Sequence, residues 1–319
     1  MNRFKKILVG VDLSWGDRLV AQRLTPPNAE AVKQAIWLAK RNSAAIHFFA
    51  ALDLSARAQH LLSQCETTEK TILDEAQQQL DACVARAKER GVDASDEVVI
   101  GRSWLELIRQ VIRGQHDLLV VGTRHLGAMQ GALFGSTGMK LLRKCPCALW
   151  VTQPLRDEAF DSILVAHDLR PVGDLALELG STMAQLHDAK LHVLHAADPR
   201  EVDHLPGESD SAESAEGYCR EAEKRLRSNL SNADFSSPPQ VHVSIERPDI
   251  AILDSIAKNQ IDLVVMGTIG RTGFPGFVIG NTAERLLPKI PCSLLAVKPE
   301  DFKSPVQLTS DEFEDDLVT

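Results

Sequence analysis

The chain repeats itself, and the repeat leaves few folds open to it. Asp117-Leu118-Leu119-Val120-Val121-Gly122-Thr123 returns as Asp262-Leu263-Val264-Val265-Met266-Gly267-Thr268. Leu141-Leu142-Arg143-Lys144-Cys145-Pro146-Cys147-Ala148-Leu149 returns as Leu286-Leu287-Pro288-Lys289-Ile290-Pro291-Cys292-Ser293-Leu294. Both pairs keep an offset of 145, and 15 of 38 positions agree between 117–154 and 262–299. Chance does not hold register that long, so one folding unit has been duplicated. The first strands, starting at Lys6-Ile7-Leu8 and Ser162-Ile163-Leu164, correspond at a slightly different offset. The difference fits a longer loop in copy one, from Asp17 to Asn28, containing Pro26-Pro27. With 319 residues there is room for two ordinary domains. We expect them at 1–155 and 156–300, joined near Pro154 to Phe160, with an acidic and disordered tail at 301–319 (Asp311, Glu312, Glu314, Asp315, Asp316).

Within each copy, short apolar runs alternate with helical patterns. In copy two the expected strands are 162–167, 190–196, 240–245, 262–267 and 293–297, with helical patterns between them such as Asp174 to His187 and Gly217 to Leu230. Strands buried on both faces read as continuous apolar runs, as Leu118 to Val121 and Leu263 to Met266 do. Alternation of strand and helix implies right-handed crossovers. The fold class is therefore α/β, each domain a doubly wound, Rossmann-like parallel sheet with helices on both faces.

Composition narrows the function. The chain is 44% hydrophobic and 25% charged, the profile of a soluble globular protein. A net charge of −9 argues against nonspecific attraction to nucleic acid or to an anionic membrane. No apolar run reaches the roughly 18 residues of a membrane-spanning helix. The apolar stretch after Lys5-Lys6 stops at Asp12 and reads as a strand rather than a secretory leader. Six scattered cysteines without a CxxC pair suit a reducing cytoplasm.

In open α/β sheets ligands sit beyond the carboxyl ends of the strands, near the switch in strand order. Two features fall there in each copy. One is the carboxylate closing the first strand, Asp12 and Asp168. The other is a glycine-rich loop between the fourth strand and a helix. In copy two it carries Gly267, Gly270, Arg271, Gly273, Gly276, Gly280, Asn281 and Thr282; in copy one Gly122, Arg124, His125, Gly131, Gly135, Ser136 and Thr137. Glycines let an anion approach the backbone amides, and the free N–H groups of the following helix favour negative charge. Asn281-Thr282 or Ser136-Thr137 can cap that helix or turn to a ligand. The aspartate can accept hydrogen bonds from ribose hydroxyls or an adenine amino group.

The spacing Gly267-x2-Gly270-x9-Gly280 followed by a small polar residue, with an aspartate ending strand one, resembles the nucleotide loop of the universal stress protein (UspA) family, and the resemblance covers about 300 residues. It implies two tandem adenine nucleotide alpha hydrolase-like domains, each with five parallel strands in the order 3-2-1-4-5. It also implies a cytoplasmic protein of stress resistance (DNA damage, oxidants, starvation) that binds ATP or AMP, with Mg accompanying ATP. In this family the fifth strands of two domains pair antiparallel. Here Cys147 to Thr152 and Cys292 to Val297 lie on one chain, so a pseudo-dimer within the chain is expected, with further homodimerisation open. The copies depart from the pattern differently. His125 stands where copy one should have its second glycine, either filling the phosphate space or gripping phosphate beside Arg124. Copy two keeps all three glycines and is expected to be the better site.

Other signals are weaker. Cys145-Pro146-Cys147 suggests redox chemistry, but copy two has Ile290 in place of Cys145, and packing is the favoured role. His167, His192, His195 and His242 are weighed as a zinc site and set aside for want of a ligand spacing, since His192 and His195 face opposite sides of their sheet. Trp15 either stacks on a base or covers the sheet edge. Asp198 to Gly217 reads as a mobile acidic loop. No GxGxxG follows strand one and no GxxxxGK[ST] occurs, which argues against a nicotinamide dehydrogenase or a P-loop hydrolase. A slow ATPase, or halves specialised so that one holds an apolar metabolite, are the competing readings.

Overall fold

The computed structural model describes residues 3–13, 20, 23–54, 66–123, 135–155, 159–202, 211–231, 235–268 and 280–308. The first half runs β1 (Lys6–Gly10), α1 (Pro26–Asn42), β2 (Ala45–Leu52), α2 (Glu66–Glu89), β3 (Ala94–Ile100), α3 (Ser103–Gly114), β4 (Leu118–Gly122), α4 (Ser136–Lys144) and β5 (Ala148–Thr152). The second runs β6 (Ser162–Ala166), α5 (Pro171–His187), β7 (Lys190–Ala197), α6 (Pro199–Val202), α7 (Ser211–Leu230), β8 (Gln240–Ile245), α8 (Pro248–Asn259), β9 (Leu263–Gly267), α9 (Asn281–Leu286), a 3₁₀ turn and β10 (Ser293–Val297). Pro171 at the first turn starts α5 earlier than apolar periodicity alone suggests, because proline suits a position whose N–H has no helical partner.

The sheets of the two halves are continuous. Ten strands form a continuous mixed sheet in the order β3-β2-β1-β4-β5-β10-β9-β6-β7-β8. Neighbours within each half are parallel, whereas β5 and β10 pair antiparallel, Trp150 opposite Leu295. That inversion sends the carboxyl ends of the two halves' strands to opposite edges of the sheet.

The period of two in each strand divides the core between the faces. Ile7, Val9, Leu118, Val120, Trp150, Ile163, Val165 and Leu295 pack with the helices of one layer, α1, α2, α5 and α7. Leu8, Leu119, Val151, Leu164, Val264 and Leu294 pack with α3, α4, α8 and α9 on the other. The duplicated aspartates tie the strands together at their amino ends. Asp117 accepts the Lys5 N–H at 2.7 Å, and Asp262 accepts the Asp161 N–H at 2.8 Å.

His187, at the end of α5, is part of the junction between the halves. Its ring stacks on Trp37 of α1 at 3.9 Å between centroids and tilts against Phe160 at 4.6 Å. Burial, assisted by Arg41, pushes it down to about 4. The unfolded chain therefore binds a proton below about pH 6.5 that the folded chain refuses until about pH 4. Stability is whole above pH 6.5 and falls as pH drops through that window, by about 2–3 kcal/mol from this group. Denaturant unfolding at pH 7 and pH 4.5 should show His187→Gln losing less than the native chain; equal losses would refute it.

Candidate functional site

In each half the first and fourth strands are neighbours, and the chain leaves them in opposite directions across the sheet: β1 beside β4, β6 beside β9. Such a switch opens a crevice at the carboxyl ends. In the second half β6 ends at Ala166, and His167, Asp168, Leu169 and Arg170 lead into α5. Asp168 is exposed, and its Oδ1 accepts the Arg170 N–H at 3.1 Å. Leu169 has φ 58° and donates its N–H to His167 Nδ1 at 2.8 Å. The other described non-glycine residues with positive φ (Ser43, Gln115, Asp188, Gln260) are helix C-caps. Leu169 alone among them holds this costly conformation in a connection at the carboxyl edge.

Beneath this turn lies a directed polar chain. His167 Nδ1 accepts from Leu169, so its Nε2 carries the hydrogen and donates to Asp174 Oδ1 at 3.1 Å. Burial is the largest influence on His167 and lowers its pKa, against the pull of Asp174 and Asp168. His195 Nδ1 donates to the His167 carbonyl at 2.8 Å, leaving Nε2 to accept from the Tyr218 hydroxyl at 2.7 Å. This network fixes the turn that presents Asp168. Sequence reasoning found the histidines but missed Asp174 and Tyr218; the signal was that Tyr218 is the only tyrosine in the chain. His192 instead stacks near His242, ring centroids 5.9 Å apart. Among the described residues no group of three or more His, Cys, Asp or Glu side chains is placed to hold a metal.

Across the crevice, Gly267 ends β9 and Gly280 opens α9. The Gly280 N–H donates to the Thr268 carbonyl at 3.0 Å, which closes the intervening loop at its base. Gly280 has φ −58° and ψ 142°, and α9 receives no side-chain cap there. Thr282 is half-buried in its first turn. Gly267 has a packing duty of its own, since a Cβ on it would lie 2.5 Å from Val172 Cγ1.

The first half repeats the plan with a longer connection, residues 11–25 against 167–170. Asp12 is exposed, and its backbone is held by Asn28, whose Nδ2 donates to the Asp12 carbonyl at 2.9 Å. Gly122 ends β4 under the first turn of α1. Gly135 precedes α4, where Ser136 is exposed, Thr137 is half-buried and again no side chain caps the helix. Arg124, His125, Gly270, Arg271 and Trp15 lie outside the described residues, as do the side chain of Asn281, most of the tail and part of the Asp198 to Gly217 segment.

Among the described residues no helix is long and apolar enough to cross a membrane. The model of the universal stress protein family matches residues 3–153 and again 159–298. Universal stress protein E of Photorhabdus laumondii is 25% identical over 96% of this chain and 99% of that protein. The same-named protein of Salmonella typhi is 28% identical over 88% of this chain and 94% of its own length. A crystal structure titled as a putative universal stress protein from Pseudomonas aeruginosa has the same fold, with TM-score 0.68 and 22% identity over 94% of this chain and 95% of that one.

Proposed function

Because this chain belongs to the universal stress protein family, with one family domain in each half, we propose that it is a tandem stress-resistance protein of the cytoplasm. In this reading it binds an adenine nucleotide, ATP or AMP, mainly through residues 156–300. Each half is then a five-stranded unit of order 3-2-1-4-5.

The observation that carries the reading is the turn at Leu169. A non-glycine residue is held in the left-handed region beside an exposed carboxylate, at the mouth of the crevice between β6 and β9. Such strain persists where surroundings over-determine it, and it concentrates at ligand sites. Gly280 leads into the first turn of α9, whose N–H groups phosphate would meet in this reading. Asp168 is placed to accept hydrogen bonds from a ribose or an adenine amino group.

Gly280 allows a clean test. Its φ and ψ are open to any residue, so glycine is not needed there for backbone strain. Calorimetric titration of the full chain with ATP and with AMP should give one strong site. Gly280→Val should weaken it at least about tenfold, or about 1.4 kcal/mol, at unchanged thermal stability. Gly135→Val should change it little. Absence of binding by the native chain, or an affinity indifferent to Gly280→Val, refutes the proposal.

A further inference from the structure

At the seam the two copies have diverged in a correlated way. In the register of the duplication Cys147 matches Cys292, Cys145 matches Ile290, and Gln153 matches Lys298. Because β5 and β10 are antiparallel, the residue following each strand reaches the other half's helix-to-strand corner. Lys298 is 5% exposed, and its Nζ donates to the carbonyl of Leu142, in the last turn of α4. Its charge lies 4.3 Å from the centre of the Phe302 ring and draws the Cys145 thiol down from across the seam. Those two sulfurs are 3.6 Å apart, Cys145 buried and Cys147 half-buried. At the opposite corner Gln153 Nε2 donates to the Cys292 carbonyl at 3.5 Å, and the buried Ile290 replaces the second thiol. One corner has thus gained a second sulfur and a buried cation together; the other has neither.

We propose that Cys145, Cys147 and Lys298 form a thiol–disulfide site that is oxidised by hydrogen peroxide. Cys145 is the attacking group. The hydrogen bond from Cys147 and the charge of Lys298 hold its thiol below the ordinary range, against burial. Burial and the adjacent Cys145 push Cys147 up. Burial also lowers Lys298 to about 8, which suits a proton donor.

The Cys145 proton passes to the half-buried Cys147 sulfur, its hydrogen-bond partner, as the Cys147 proton passes to solvent. The Cys145 thiolate then attacks a peroxide oxygen. An S–O bond forms, the O–O bond breaks, and the departing hydroxide takes a proton from Lys298 and leaves as water. The Cys147 thiol then attacks the sulfenic sulfur. The S–S bond forms, the S–O bond breaks, and a second water leaves with the Cys147 proton, while solvent reprotonates Lys298. Two thiols lose two electrons to one peroxide. Cys292, pushed up to about 12 by burial, is a built-in control.

The test is oxidation of the full-length chain by hydrogen peroxide, with thiols mapped by alkylation and peptide mass spectrometry. A Cys145–Cys147 disulfide, with the mass loss of two hydrogens and reversal by dithiothreitol, should form at least about tenfold faster than Cys292 oxidises. Lys298→Gln and Cys145→Ile each install the residue that the fold already carries at the related position. The first should slow the reaction about tenfold at neutral pH, and the second should abolish the disulfide. Ile290→Cys together with Gln153→Lys should confer the reactivity on the second half. Oxidation of Cys145 and Cys147 no faster than Cys292, or an unchanged rate in Lys298→Gln, overturns the proposal.

Discussion

Gly122→Val should cost the fold more than about 3 kcal/mol, while the duplicate change Gly267→Val should cost about 1–3 kcal/mol. A Cβ at position 122 would meet backbone: the Pro27 carbonyl carbon at 2.6 Å, its oxygen at 2.7 Å and the Asn28 nitrogen at 2.8 Å. That turn is pinned. Thr152 Oγ1 bonds the Pro27 carbonyl at 3.4 Å, and the buried Asn28 ties α1 to Asp12 and Thr25. The first helix cannot retreat without breaking those bonds. At Gly267 the nearest atom is a side-chain methyl of Val172, and no backbone atom comes nearer than 3.9 Å. A rotamer change there can relieve most of the clash. Urea midpoints of the two variants decide the matter, and equal losses would refute the account. The same contact makes Gly280 a better probe of ligand binding than Gly267, because a change at 267 also disturbs α5.

Trp150→Ala should cost about 3–5 kcal/mol and lower the stability of both halves in one transition. Trp150 is fully buried on β5, opposite Leu295 of β10, with Phe160 of the inter-half segment 6.1 Å from its ring. The cavity would open where the two halves share a core, so neither half could keep its packing. Trp150→Phe should cost less than half as much. It keeps an aromatic ring and removes an indole N–H that has no hydrogen-bond partner among the described residues. Calorimetric unfolding of the alanine variant into two separate transitions, one at the native temperature, would show that the seam does not couple the halves.

Much of this architecture can be read from local pattern. The run Leu263 to Met266 announces a strand buried on both faces, and its residues do divide between two cores. The carboxylates Asp12 and Asp168 stand at the carboxyl edge, two residues beyond their strands. Other roles were hidden because they depend on partners distant in sequence. Gly122 and Gly267 read as room for an anion; the observed neighbours show each making room for the helix that crosses above it. Asp117 and Asp262 open the most obvious repeat, but their work is to bind the amides of another strand's first residues. Cys145 reads as packing and is buried; that Lys298, more than a hundred residues away, reaches the last turn of the helix before it is not written in local pattern.

The sequence by itself determined that this protein is two copies of one α/β unit, because strand burial, helix starts and glycine turns are written in short-range periodicity and repeat at constant spacing. Only the tertiary structure decided the register in which β5 meets β10, with Trp150 opposite Leu295, that the candidate sites open on opposite edges, and that a lysine from one copy reaches the last turn of a helix in the other. The reason is physical: a strand's pattern fixes which of its faces are buried, but its edge carries the same N–H and C=O groups whatever the residue, so packing of the whole chain chooses the partner and the direction.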